Sequence, residues 1–178
     1  MNIRWCRFNI YLALVFALAA ICGCKTSGET NPKKVLSTFR LYLEAGRDRT
    51  KANNPVPIYR EKPVLVNVEI EPFLTEGDVA EAGVIDAMGG FAFRIRFNHA
   101  GTTLLDQYTT ENRGRKIAVL SQFGENLTEA RWLAAPLITR RITDGVFTFT
   151  PDATRQECEE IALGLNNLAK KVQRWSDK

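Results

Sequence analysis

Residues 84–97, VIDAMGGFAFRIRF, limit what this chain can fold into more than any other stretch. Phe91, Phe93, Ile95 and Phe97 alternate with Ala92, Arg94 and Arg96, so one face of an extended segment is apolar throughout. Gly89 and Gly90 separate this run from the strand-like run before it, and a Gly-Gly pair takes the positive φ values of a primed two-residue hairpin turn. Two antiparallel strands with one buried face are therefore expected. The arginines and the rings project from opposite faces, whereas a nucleic-acid platform needs them together, so nucleic acid is not an expected partner.

The same kind of patterning continues on both sides. VLSTFRLYLEA (35–45) alternates Phe39, Leu41 and Leu43 against Arg40 and Tyr42, a half-buried strand. GRDRTKANNPVP (46–57) mixes charge, Asn, Gly and Pro and predicts a loop, whereas PVLVNVEIEP (63–72) predicts a strand bounded by prolines. TEGDVAEA (75–82) opens with Thr75 as a cap and predicts one or two helical turns. Asn98 caps a helix with Ala100, Leu104, Leu105 and Tyr108 on one side, closed by Gly114. KIAVLSQ (116–122), RWLAAPLI (131–138, broken by Pro136) and GVFTFT (145–150) return to strand character. Thr154 and Glu157 have the spacing of a capping box, and Cys158, Ile161, Ala162, Leu165, Leu168, Val172 and Trp175 then recur every three or four residues. This order predicts an α+β domain over residues 35–178, with a largely antiparallel sheet and two main helices packed on one face.

The N-terminus sets where such a domain would reside. Arg4 and Arg7 precede FNIYLALVFALAAI (8–21), fourteen residues with Asn9 as the one strongly polar member. A spanning helix needs about 18 to 20 apolar residues and a signal-peptide core roughly 7 to 15, so length favours a signal peptide, residues 1–23. Ala17 and Ala19 offer an ordinary cleavage site and a soluble secreted product. The stretch Ile21-Cys22-Gly23-Cys24 resembles a bacterial lipobox instead, with small Gly23 making Cys24 the lipidated residue; Cys22 would need bulky Ile21 in the small position. A single acyl chain holds a protein only marginally, whereas two or more anchor it, so a diacylglyceryl Cys24 predicts a protein held at the cell envelope, facing the periplasm. Lys25 after the cysteine resembles outer-membrane sorting. KTSGETNPKK (25–34) has no apolar residue and completes, with Cys24, a flexible tether over 24–34.

Cleavage before Cys24 leaves 155 residues of the 178, with Cys158 as the one free thiol and no internal disulfide, so the core must hold the fold. The mature chain carries 22 Lys and Arg against 20 Asp and Glu, a balance that points to no particular partner. Candidates for catalysis are few. His99, the one histidine, stands at a helix start without clustered partners. One His and one available Cys cannot assemble a zinc site, and no D-x-D-x-D-G run offers a calcium loop. No phosphate-cradling loop or G-x-S-x-G elbow is present; Asp86 and Asp144 fit a strand end and a turn, and Cys158 fits a core. No cofactor, metal or catalytic residue is expected.

EPFLTEGDVAEAGV, FRIRFNHAGTTLLDQYTTENRGRKIAVL, AAPLITRRITDG and FTFTPDATRQECEEIALGL, in that order from about Pro63 to Lys170, resemble the head subdomain of the periplasmic domain of SecD and SecDF, accessory membrane proteins of the Sec export machinery. The resemblance implies an α+β fold and an extracytoplasmic surface that contacts exported polypeptide. SQFGENLTEAR (121–131) departs from the family's short Asp-Gly turn, with a tip at 124–126, and the family's base subdomain is not evident. Nothing after Ile21 is long and apolar enough to cross a membrane, so the resemblance does not bring proton coupling with it. The expected function is a non-enzymatic, lipid-anchored envelope module that binds exported polypeptides or envelope protein complexes. A scaffold reused for a structural role and an envelope enzyme centred on His99 or a carboxylate pair are the alternatives.

Overall fold

The computed structural model describes residues 34–46 and 53–176, which belong to a compact unit spanning 31–178. The elements are β1 (Thr38–Leu43), β2 (Asn53–Ile58), β3 (Val64–Glu69), a 3-10 turn (Glu76–Asp78), β4 (Val79–Ala87), β5 (Gly90–Phe97), α1 (His99–Glu111), β6 (Ile117–Phe123), a second 3-10 turn (Glu125–Leu127), β7 (Glu129–Ala134), β8 (Val146–Phe149) and α2 (Arg155–Ser176). The α+β class with antiparallel pairing is as expected. The strands are shared among three sheets, ordered β1-β6-β7, β4-β5-β8 and β2-β3.

The two three-stranded sheets meet through their apolar faces. Phe39 of β1 lies 6.5 Å from the ring of Phe97 and 6.4 Å from that of Phe149, joining one sheet to the other. Leu105 of α1 and Cys158, Ile161 and Leu165 of α2 complete this core. The alternation in β5 is realised from Phe93 onward, with Phe93, Ile95 and Phe97 buried and Arg94 and Arg96 exposed, whereas Phe91 is half-buried and Ala92, on the opposite face, is buried as well.

The second core explains an error of sequence reading. Residues 53–57 form most of a strand, β2, where a loop is expected. Pro55 and Pro57 are two apart, so both missing N–H groups fall on one edge of β2, and a strand paired on its other edge alone tolerates that. Their alternates Val56 and Ile58 pack with Val66 and Val68 of β3 against Ala118, Tyr42 and Trp132 on the back of the β1-β6-β7 sheet. A lone hairpin is marginal in water. Four buried Val and Ile side chains, at about 1.5 to 3 kcal/mol each, are what hold this one in place.

Other boundaries shift for local reasons. Thr75 does start a turn, but Asp78 closes it at once by accepting from the Thr75 N–H (2.9 Å) and hydroxyl (3.1 Å), and the chain then extends into β4. The β4–β5 turn centres on Met88-Gly89, with Ala87 opposite Gly90. Gly89 has φ +82° whereas Met88 is not left-handed, so the turn is not of the primed kind. Asn98 caps α1 as expected, its side-chain oxygen accepting from the Gly101 N–H at 2.9 Å. The buried face of α1 runs through Gly101, Leu105 and Thr109, and Ala100 is exposed. The capping box of α2 forms: the Thr154 N–H donates to the Glu157 carboxylate (2.7 Å) and the Glu157 N–H to the Thr154 hydroxyl (3.2 Å). The apolar stripe of α2 is buried through Leu165, Leu168 is half-buried beside buried Ala169, and Val172 is 45% exposed because the helix has by then passed the edge of the sheets.

Helix α2 packs mainly along β4. Its Asn166 amide donates to the Ala82 carbonyl and accepts from the Ala82 N–H, both at 2.9 Å, occupying the place of a neighbouring strand on the β4 edge. Gly164 permits close approach to the start of β1, since a Cβ there would lie 2.3 Å from the Ser37 hydroxyl oxygen and 2.6 Å from its backbone nitrogen.

Candidate functional site

The opposite edge of that sheet, β8, is open. The Phe97 N–H donates to the Gly145 carbonyl at 2.9 Å, which makes 145, 147 and 149 the residues whose backbone faces β5. Val146 and Thr148 therefore point their backbone groups away. Asp144 takes the Val146 N–H at 3.1 Å, as a turn residue would, and among the described residues the Thr148 N–H and carbonyl have no partner.

Across from β8 runs the segment after Pro136. The Ile117 N–H donates to the Pro136 carbonyl (3.0 Å) and the Ile138 N–H to the Arg115 carbonyl (2.8 Å), so residues 136 and 138 face β6 and Leu137 faces away from it. Leu137 is 53% exposed. Leu137 and Thr148 line one groove of about 230 Å³, with Ile117, Ile138, Ile142 and Phe147 among its apolar walls. The outward backbone groups of Leu137 and Thr148 thus open on a shared trough of mixed polar and apolar lining, a geometry that offers main-chain partners to an added extended segment.

The outer wall is strapped to α1. Arg141 makes a two-pronged ion pair with Asp106, and the Ile142 N–H donates to the buried Thr109 hydroxyl at 3.0 Å. The hydrogen bond from Arg141 holds the Asp106 carboxyl below the usual carboxylate range, ahead of an opposing desolvation effect. Gly145, at φ +67°, closes the end of the wall, where any Cβ would lie 2.1 Å from the Thr102 hydroxyl oxygen.

The residues considered for chemistry are dispersed. His99 is exposed at the start of α1, and among the described residues its ring has no ion-pair partner. Asp86 pairs with Arg155 at the start of α2. Cys158 is fully buried, and burial pushes its thiol up to about 11, with Glu157 adding to the effect. Glu157, whose burial alone would raise it, is held below its ordinary value by the Thr154 N–H and by Arg131, 2.8 Å away. Among the described residues no group of three His, Cys, Asp or Glu side chains is placed to hold a metal, and no helix is long and apolar enough to cross a membrane. The 121–131 segment is mostly strand, a β6–β7 hairpin whose five-residue connection carries positive φ at Gly124, Asn126 and Leu127. Cys24, with the expected export signal and nearly all of the expected tether, lies outside the described residues. The groove itself escaped sequence reading, because Leu137 and Thr148 become neighbours only through the two sheets.

The described residues thus form an α+β domain of two facing antiparallel sheets with an open β8 edge. The chain belongs to the SecDF P1 head subdomain family, whose model matches residues 51–169. Among solved structures it is similar to SecDF in a super-membrane-facing form, at 19% identity and a TM-score of 0.54, over 74% of this chain and 19% of that one. It is also similar to a membrane component SecDF that enhances protein export, at 19% identity and a TM-score of 0.52, over 75% of this chain and 63% of that one. These likenesses concern the fold, and the chain spans under two-thirds of either relative. No curated protein matches it by sequence.

Proposed function

We propose that this protein is a non-enzymatic, lipid-anchored module of the cell envelope that holds extended polypeptide, in the service of protein export or envelope assembly. The observation that carries the proposal is the groove beside β8, in which Thr148 and Leu137 turn backbone groups without a partner among the described residues toward one shared trough. Strand addition draws its affinity from main-chain hydrogen bonds, which every sequence possesses, and so suits a guest of variable sequence. Membership of the SecDF P1 head family, and the fold shared with a SecDF that enhances protein export, support the same direction. The short apolar run at 8–21 and the lipobox-like Ile21–Cys24 support export with a lipid on Cys24, facing the periplasm, and Lys25 favours the outer membrane.

A photoreactive phenylalanine analogue at Leu137 or Thr148, irradiated in living cells, is expected to trap many different exported chains, with little trapped from Met88 on the β4–β5 turn. Equal yields from all three positions, or adducts with none, overturn the groove as the binding site. Palmitate labelling is expected in the native chain and lost in Cys24→Ala; equal labelling of both refutes the anchor at Cys24.

A further inference from the structure

The described chain enters the domain beside the C-terminal half of α2. Asn167 donates to the Val35 carbonyl at 3.0 Å, and Gly164 abuts Ser37, so β1 runs back along α2 from there. Lys34 is exposed at this point, where the polar tether joins, and Leu36 beside it is 38% exposed. On α2, Leu163, Lys170, Lys171 and Arg174 fall within a quarter-turn or so of one another on the outward face next to that strand start, and all four are exposed. None of the four basic residues has an ion-pair partner among the described residues. The acidic residues of the helix, Glu157, Glu159 and Glu160, lie in its first two turns, and from 161 to 176 there is none. The inner stripe overhangs this same end through Val172.

The far end of the molecule is marked independently. Asp86 pairs with Arg155 and Ala82 with Asn166, so β4 and α2 run in opposite directions and the Met88 turn lies beyond the N-terminus of α2. The rise of 1.5 Å per residue separates Arg155 from Val172 by roughly 25 Å. The basic face, the exposed leucines and the tether's point of entry are therefore gathered at one end, with Met88 at the other.

We propose that this end of the domain, Lys34, Leu36, Leu163, Lys170, Lys171 and Arg174, docks on the surface of an anionic lipid bilayer, with Val172, in the same last turns but on the other side of the helix, close above the contact. Charge complementarity and the position of the tether carry the assignment. An amphipathic helix with Lys and Arg beside apolar side chains binds at an anionic headgroup layer, and each basic residue near the surface strengthens the contact by about fivefold. The bland account, cations placed to complement the C-terminal end of a helix macrodipole, needs no exposed leucines and no neighbouring Lys34. Docking would orient the domain with α2 leading to the membrane and the Met88 turn away from it. The inference rests on the lipid-anchored reading for this orientation, but the patch is testable without it.

The full chain is reconstituted into vesicles of neutral phosphatidylcholine, or of phosphatidylcholine with phosphatidylglycerol, carrying nitroxide-labelled lipids. A dansyl amino acid is placed by codon suppression at Val172 or at Met88. Strong quenching at 172 and weak quenching at 88 are expected in anionic vesicles. The signal at 172 should fall in neutral vesicles, in high salt, and in a Lys170→Gln, Lys171→Gln, Arg174→Gln variant, whose contact with the anionic surface is expected to weaken by about a hundredfold. Equal quenching at 172 in neutral and anionic vesicles, quenching at 88 as strong as at 172, or a self-associating chain whose signal at 172 is insensitive to lipid, overturns the proposal. Flotation on neutral vesicles reports the N-terminal attachment separately. A chain that fails to float there loses the anchor, while the difference between anionic and neutral vesicles still decides the patch.

Discussion

Replacing Gly164 and Gly83 by alanine should change stability in opposite directions, although both sit inside regular elements where alanine is the better former. A mid-helix glycine costs about 1 kcal/mol relative to alanine, and one inside a strand roughly 0.5 to 1. At Gly83 of β4 the added methyl meets nothing within 4 Å, so Gly83→Ala should stabilise by up to about 1 kcal/mol. At Gly164 it would lie 2.3 Å from the Ser37 hydroxyl oxygen, 2.6 Å from the Ser37 nitrogen and 2.7 Å from the Leu36 carbonyl carbon. Two of those three atoms are backbone, so relief requires the start of β1 to move off the helix. Overpacking of that kind costs typically 1 to 3 kcal/mol or more, which exceeds the propensity gain. With all three contacts under 3 Å the cost falls in the upper part of that range, about 2 to 3 kcal/mol, so Gly164→Ala is expected to destabilise by about 1 to 2 kcal/mol net, and to speed amide exchange at residues 38–40. Urea midpoints at equal m-values read both changes, and thermal midpoints should move by roughly 2 to 4 °C per kcal/mol in a domain of this size. A Gly164→Ala protein as stable as the parent, with unaltered exchange in β1, would show that the strand start yields freely and that the close approach is not a constraint.

Three further outcomes follow from other contacts. Asn166→Ala leaves the Ala82 N–H and carbonyl without their partner and should cost about 1 to 3 kcal/mol by urea titration, with greater self-association by light scattering; an unchanged midpoint and size would refute the clamp. The depressed Asp106 carboxyl stabilises the Arg141 strap above its unfolded pKa, near 3.9, and that contribution is lost as pH falls through the lower folded value. Exchange at the Ile142 amide, corrected for its intrinsic rate, should therefore accelerate below about pH 4, and Asp106→Asn should accelerate it at neutral pH. Cys158, buried and raised to about 11, should resist thiol reagents at pH 8 until urea unfolds the chain; fast native labelling would contradict its place in the core.

Local chemistry made much of this architecture legible in the sequence. The Thr154–Glu157 box, the Asn98 cap and the alternation from Phe93 to Phe97 each satisfy their requirements within a few residues, and each forms as read. Failures came where a distant partner decides. Pro55 and Pro57 look like breakers until β3 is seen to use only the other edge of their strand. Ala100 and Val172 fit a helical period, but α1 buries the track through Leu105 instead, and α2 outruns the sheets before Val172. The groove left no local sign at all, since Leu137 belongs to an apolar run read as an interrupted strand and Thr148 to the polar side of another.

The side-chain amide of Asn166 has a consequence for molecules crowded on a surface. By satisfying one rung at the margin of β4, it removes from that sheet one of the two borders through which copies could stack end to end. Through this sheet a second strand can then be added only along β8, so pairing β8 to β8 ends with two copies and cannot propagate from sheet to sheet.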